Sequence, residues 1–191
     1  LSKWRILSLS DLKAKVNYHF SHQAFAKLVR RLEENEYIES IYYQNYKKYL
    51  FLTAKGLKEI GLDKVWPINK DIIQHDLISV NVLQYFLYEG NVFTNGKLML
   101  DEAGKSNRPD GEVTFASVKK LAIEVELTQK ESSRIENKFK EYYRSSSLSY
   151  VLYLFTKPSV FKAYKKIIDR MDKTINPLIG SRYSSKIILM I

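Results

Sequence analysis

Residues 120–127 read Lys120-Leu121-Ala122-Ile123-Glu124-Val125-Glu126-Leu127. Apolar residues recur there with a period of two, the repeat of a β-strand whose side chains project alternately to two faces. Leu121, Ile123, Val125 and Leu127 share the face expected to point into a core. Ala122, Glu124 and Glu126 share the other. Two carboxylates at i and i+2 on an interior strand repel each other and resist loss of water. On the N-terminal side, Arg108-Pro109-Asp110-Gly111 turns the chain into Glu112-Val113-Thr114-Phe115, which puts a third acid, Asp110, at a strand start. On the C-terminal side, Thr128-Gln129-Lys130-Glu131 has the form of a capping box and opens a helix to about Ser146. Ile135, Phe139, Tyr142 and Tyr143 are its expected buried stripe.

The rest of this half alternates in the same way. Tyr150 to Phe155 is a continuous apolar run, expected to be a central strand. Pro158 sits in the first turn of a helix to about Met171, and Lys186 to Ile191 is a final strand. Upstream, Asn69 or Asp71 opens a helix to about Tyr88, with Ile73, Leu77, Val80 and Leu87 as its apolar stripe. Gly90-Asn91 ends it, and Lys97-Leu98-Met99-Leu100 is a short strand. The predicted order is αβββαβαβ, with no repeats and no low-complexity tract.

The first 62 residues follow a different rhythm. Ser10 to Val16 reads as a short helix, Asn17-Tyr18-His19-Phe20 as a break, and Ser21 as the N-cap of a longer helix. Phe25, Leu28 and Leu32 form that helix's core stripe, and His22, Gln23, Lys27, Arg30 and Arg31 lie on its opposite side. Tyr37 to Tyr43 and Tyr49 to Leu52 flank the polar, basic turn 44–48 as a hairpin. Thr53 caps a last helix, which Gly61 stops. Leu62 to Pro67 reads as a linker, because Trp66-Pro67 fits a helix poorly.

Composition narrows the function. The chain has 191 residues and a net charge of +10, with a hydrophobic share ordinary for a globular protein. There are no cysteines, which excludes disulfide scaffolds, zinc fingers, iron–sulfur sites and thiol nucleophiles. It also makes a reducing cytoplasm the natural compartment. No run approaches the roughly 20 apolar residues that span a bilayer, and no charged-then-apolar leader opens the sequence. No membrane association is therefore expected. The basic surplus favours a polyanionic partner, above all nucleic acid. It is shared: residues 1–62 hold 11 Lys and Arg against 6 Asp and Glu, and residues 63–191 hold 20 against 15. Each part is at +5.

Helix, turn, helix, hairpin, helix resembles the winged helix-turn-helix class, and Leu32-Glu33-Glu34-Asn35-Glu36-Tyr37-Ile38 is similar to its passage from recognition helix to wing. The resemblance implies that the helix after Ser21 enters a major groove by its first turns. His22, Gln23 and Lys27 would then meet base edges and Arg30 a phosphate, with Lys47 and Lys48 at the wing tip. A winged helix used only for protein contacts is the alternative.

Three acids converging at one sheet edge make chemical sense around a divalent cation, and Mg²⁺ and Mn²⁺ prefer oxygen ligands. Pro109-Asp110, then Glu124-Val125-Glu126, within an αβββαβ core, resembles the PD-(D/E)XK nuclease superfamily. The superfamily's strand lysine is replaced by Glu126. Lys138 on the following helix is the first candidate for a migrated lysine, and Lys130 is the second. Over nearly the whole chain, the winged helix, His75-Asp76-Leu77, Arg108-Pro109-Asp110, Ile123-Glu124-Val125-Glu126, Lys138 and Tyr142-Tyr143 resemble the plasmid replication-relaxation proteins and the related MOBC-type relaxases. The implied domains are a winged helix over 1–62, a linker helix over 63–90 packed on the second domain, and a restriction-endonuclease-like domain over 91–191. The implied function is binding of double-stranded DNA at a plasmid origin with metal-dependent nicking, in a bacterial cytoplasm. A second copy or other mobilisation or replication proteins would be further partners. Asp110, Glu124 and Glu126 would be Mg²⁺ or Mn²⁺ ligands and, with Lys138, the catalytic set.

Other readings of the same residues stay open. Asp110 can be a turn residue. Glu124 and Glu126 can face solvent opposite Lys119 or Lys120, or form a relic site without metal. His75 can be a half-buried structural histidine. Tyr142 and Tyr143 can be core residues or tyrosine nucleophiles. At the level of function, the rivals are a catalytically inactive DNA-binding accessory or regulatory protein of the same fold and a double-strand nuclease.

Overall fold

The computed structural model describes residues 1–62, 68, 70–88, 91–95, 108–175 and 181–191. The chain divides into two compact units, Leu1–Val80 and Asn81–Ile191, within a mixed α/β architecture. The division falls inside one helix, whereas the sequence placed breaks at 62 and 90.

In the first unit, β1 (Ile6–Ser8) leads into α1 (Leu9–Lys15), α2 (His22–Glu34), β2 (Ile38–Tyr43), β3 (Lys47–Leu52) and α3 (Ala54–Glu59). Short polar side chains set each helix start by satisfying otherwise unpaired backbone donors. Ser8 Oγ accepts from Asp11 N at 3.1 Å while its hydroxyl donates to the Asp11 carboxylate. Ser21 Oγ accepts from Ala24 N at 3.1 Å, and Thr53 Oγ1 from Gly56 N at 3.0 Å. The three strands form an antiparallel sheet in the order β1-β3-β2. At the hairpin tip, Gln44, Asn45 and Tyr46 all take positive φ (39°, 54° and 57°), and Tyr46 is 91% exposed. Ile6, Leu7, Phe25, Val29, Ile38, Leu50 and Leu57 are buried. The expected stripe on α2 is thus corrected. Phe25 and Val29 point inward, whereas Leu28 is exposed and Leu32 only partly buried. The strand β1 was not anticipated.

The helix α4 (Lys70–Tyr88) crosses the division. Ile73, Val80 and Leu83 are buried on it together with Asp76 and Ser79, while Leu87 of the expected stripe is exposed. Within the first unit, the guanidinium of Arg5 meets the Asp76 carboxylate at 3.2 Å, both side chains being almost fully buried. The expected linker residues Trp66 and Pro67, the helix start at Asn69, the stop at Gly90 and the strand at Lys97–Leu100 lie outside the described residues.

In the second unit, β4 (Val92–Asn95), β5 (Gly111–Thr114) and β6 (Lys120–Glu126) form an antiparallel meander. The helix α5 (Ser132–Arg144) returns the chain to β7 (Tyr150–Phe155), parallel to β6. Next, α6 (Pro158–Lys173) and a short 3₁₀ turn lead to β8 (Ile187–Met190), parallel to β7. The sheet order is β4-β5-β6-β7-β8, so β6 is the middle strand, with β7 beside it.

Burial on this sheet is two-sided. Ala122, Val151, Tyr153 and Phe155 pack with Ile135, Phe139 and Tyr142 of α5 and with Val160, Tyr164 and Ile168 of α6. On the opposite face Leu121, Ile123, Val125 and Val113 are also buried. There Gly111 faces Leu83 of α4, so closely that a Cβ would lie 3.0 Å from a Leu83 methyl. The core therefore occupies both faces of β6, where the sequence reading gave one face to the apolar residues and the other to the acids. The capping box at Thr128–Glu131 does not form. Helix α5 starts at Ser132, after Glu131 as an N-cap without a side-chain bond.

Gly56 is demanded by close approach. A Cβ there would sit 2.0 Å from the carbonyl oxygen of Tyr37. Gly56→Ala is expected to lower stability by about 1–3 kcal/mol, the usual cost of overpacking, seen as a lower melting temperature. Gly61→Ala, at a φ of 76° in open space, should lose only about 1–2 kcal/mol through backbone strain.

Candidate functional site

The acids of β6 lie beneath α5 and α6. Glu124 and Glu126 share a face with Ala122, and their register partners on β7 are Tyr153 and Phe155. Glu124 is 2% exposed and Glu126 is 6%. A buried carboxylate is costly unless paired and hydrogen-bonded. Glu124 is both. Lys138 Nζ lies 2.7 Å from its Oε2, and the Tyr142 hydroxyl donates to its Oε1. Positions 138 and 142 lie one turn apart on α5, so one helix face supplies both partners. The Lys138 side chain keeps a quarter of its surface exposed and joins the buried acid to the outside.

Asp110 stands at the head of β5. Its Oδ2 accepts from the backbone N–H of Val125 at 2.8 Å, which fixes the carboxylate beside the β6 backbone between the two glutamates. Glu126 is met by Lys130 at 3.8 Å, across the turn that leaves β6. The Tyr164 hydroxyl neighbours Glu126 without a close hydrogen bond, and that of Tyr153 is buried with no partner among the described residues.

The electrostatics follow from this burial. Desolvation pushes Glu124 up to about 7, against the pull of the Lys138 ammonium and with the push of Asp110. Glu126 is also raised, again mainly by burial, with Lys130 and Lys138 opposing. Burial and the neighbouring glutamates raise Tyr142, Tyr153 and Tyr164 as well. Tyr142 is thus a protonated donor to Glu124, which removes it as a ready phenolate nucleophile.

Other residues singled out from the sequence are placed as follows. Tyr143 lies off the buried stripe and donates to the carbonyl of Ser181. His75 belongs to the first unit, where its Nδ1 is 3.4 Å from Asp76 Oδ1. The solvent-facing alternative for the glutamates is corrected, since both are buried and Lys120 pairs instead with Glu112 at 2.9 Å. On α2, His22, Gln23, Lys27 and Arg30 are all exposed along one surface. Lys47 is exposed at the hairpin and lies over the Tyr49 ring, whereas Lys48 is drawn back to Glu33 at 2.7 Å and is no free wing-tip cation.

Sequence reasoning assigned Tyr142 to packing and missed its bond to Glu124. The signal was its chemistry: Tyr142, Tyr153 and Tyr164 stand at buried positions where Phe would pack equally well, and buried phenols seek polar neighbours. The Arg5–Asp76 pair left no such signal. Asp110, Glu124 and Glu126 offer the oxygen donors that Mg²⁺ or Mn²⁺ take, and a cation would compensate their crowding. Among the described residues, however, no three His, Cys, Asp or Glu side chains are arranged to hold a metal ion. Glu124 is turned to Lys138 and Tyr142, and Asp110 to the Val125 amide.

No protein-family model matches this chain, and neither does any curated protein or solved structure. Among the described residues no helix is long and apolar enough to cross a membrane.

The raised Glu124 has a defined pH signature. Its folded form holds a proton more tightly than the unfolded carboxyl, so the unfolded state binds fewer protons between about 4.5 and about 7. Stability from this group is therefore present below that window and is lost as pH rises through it. Without divalent metal, Glu124→Gln should flatten the fall in melting temperature between these pH values and match or exceed wild type at about pH 8. An unchanged slope in the variant would refute the assignment.

Proposed function

We propose that the protein binds DNA through the surface of α2 and the β2–β3 hairpin, and cleaves one strand at the acids of β5 and β6 with a divalent cation. We further propose that it acts in plasmid mobilisation or replication. The observation that carries this reading is the constellation on the second unit. Asp110 at the head of one strand and Glu124 on the next share an environment with the Lys138 ammonium, 2.7 Å from Glu124. This arrangement supports a nuclease reading in which the lysine missing at position 126 is supplied from α5. The meander of β4, β5 and β6, followed by a helix and the parallel strand β7, supports the PD-(D/E)XK resemblance. The helix–turn–helix with its hairpin, and the exposed His22, Gln23, Lys27 and Arg30, support the winged-helix reading.

The roles follow from the geometry. Asp110 and Glu124, with Glu126 as a third oxygen donor, would hold Mg²⁺ or Mn²⁺. A cation bound there would polarise the scissile phosphate and lower the pKa of its water. Tyr142 holds the Glu124 carboxylate in place by donating to Oε1. Lys138, freed from Glu124 when that carboxylate turns to a cation, would orient the attacking water or stabilise charge on the phosphate.

One observation favours a second reading. Both oxygens of Glu124 already have partners in Lys138 and Tyr142, an arrangement complete without metal. On that reading the domain is an inactive nuclease fold serving a DNA-binding accessory protein.

Supercoiled plasmid with Mg²⁺ or Mn²⁺ separates the two. Wild type is expected to yield open circles, and Asp110→Asn none. Lys138→Ala should slow nicking by roughly two orders of magnitude, the size of one lost electrostatic donor. The rise in melting temperature given by Mn²⁺, which binds the folded state, should persist in Lys138→Ala. Intact supercoils with wild type, and no thermal shift with either metal, would establish the inactive reading. Replacing Lys47 should weaken binding to all DNA sequences alike, and Gln23→Ala should instead reduce discrimination between them.

A further inference from the structure

We propose that the outer face of α6 is a track for the phosphate backbone of DNA, separate from the α2 surface and leading to the acids of β6. The inference rests on the reading that DNA is the substrate. It concerns a groove of about 760 Å³ lined by Gln129, Ser132, Lys162, Lys166, Arg170 and Lys173, among others.

The helix is sharply two-sided. Val160, Tyr164, Ile167, Ile168 and Met171 are buried, and the charged residues point outward. Two of its outward cations are already neutralised. Lys165 is bound to Asp169 at 3.1 Å, and Arg170 to Glu136 of α5. Lys162, Lys166 and Lys173 have no carboxylate partner among the described residues. At about 100° per residue, these three lie within roughly 40° of one another around the axis and span about 16 Å along it. One strand of duplex DNA places a phosphate about every 3.4 Å along the duplex axis and farther apart along its own winding backbone, so the stripe is long enough to meet a few phosphates. Like charges one turn apart repel and weaken a helix. Lys162 and Lys166 stand in that relation, and a polyanion lying in the groove would offset their repulsion.

The position of the groove selects the kind of polyanion. Gln129, in the turn between β6 and α5, and Ser132, the first residue of α5, line its near end. The same turn carries Lys130, whose ammonium is 3.8 Å from Glu126. A strand followed along α6 therefore arrives at Lys130, at the end of β6 where it meets the buried Glu126. An acidic peptide would satisfy the lysines equally well but has no use for a route to that end of β6.

The test uses the full chain with all three lysines replaced, K162A/K166A/K173A, and short duplex DNA titrated over a range of salt. Each lost phosphate contact lowers the slope of log K against log salt by about 0.9. The expected result is a slope smaller by roughly two to three at a melting temperature no lower than that of wild type. Lysine acetylation footprinting should show all three lysines protected by DNA in wild type. An unchanged slope in a protein that still binds DNA would overturn this track and leave the proposed function standing. Equal protection by poly-glutamate at matched charge would overturn it in favour of an acidic protein partner. A wild-type protein that binds no DNA at low salt would overturn the proposed function and the track together.

Discussion

A carboxylate closed into the interior of a sheet needs partners, and the second unit is organised around that need. Glu124 is on the middle strand, in register with Tyr153 of β7, with α5 laid over it. It is almost fully buried, and Lys138 and Tyr142 satisfy its two oxygens from one face of α5. This fixes the rotation of α5 on the sheet. Ile135 and Phe139 complete the same buried stripe, and the Phe139 ring meets those of Tyr153 and Tyr164 edge-on. Apolar packing and the polar network thus specify one orientation between them, and replacing only one partner would leave a buried group unsatisfied.

That arrangement holds the acid without neutralising the strain of burial. Glu124 is pushed up to about 7 despite an ammonium at hydrogen-bond distance, because desolvation outweighs the attraction. Asp110, fixed by the Val125 amide, adds its repulsion. A group so placed responds strongly to any added positive charge. This is the property that a metal-assisted site and a purely structural ion pair would use differently.

The first unit solves a simpler problem. Its helices are started by Ser8, Ser21 and Thr53, and its sheet is closed by β1 on one side of β3 and β2 on the other. A buried ion pair, Arg5–Asp76, ties the residue before β1 to α4. Because Phe25 and Val29 carry the packing of α2, its first turns remain exposed with His22, Gln23 and Lys27. Basic surface remains free where packing makes no claim on it. By contrast, Lys48 and Arg170 are each held by a carboxylate within the fold.

The sequence by itself determined what depends on neighbours along the chain. Alternation at 120–127, the apolar run at Tyr150–Phe155, the caps at Ser21 and Thr53 and the order of helices and strands from Gly111 onward were all legible, whereas β4 at Val92–Asn95 was not. Each legible feature is a local preference that packing then reinforces. Asp110, Glu124 and Glu126 stood out as acids on expected core elements, and Lys138 only through the resemblance to the nuclease superfamily. Only the tertiary structure decided the rest. The helices α5 and α6 cover the acidic face of β6 while Leu83 of α4 meets Gly111 on the other, so burial is two-sided and the solvent-facing alternative falls away. Tyr142 became the partner of Glu124, Val29 displaced Leu28 from the α2 core, and Lys48 turned to Glu33. The cause is the same in each case. Burial and pairing are properties of what lies across a gap in space, and a residue's place in the chain specifies its own direction without specifying what it will meet.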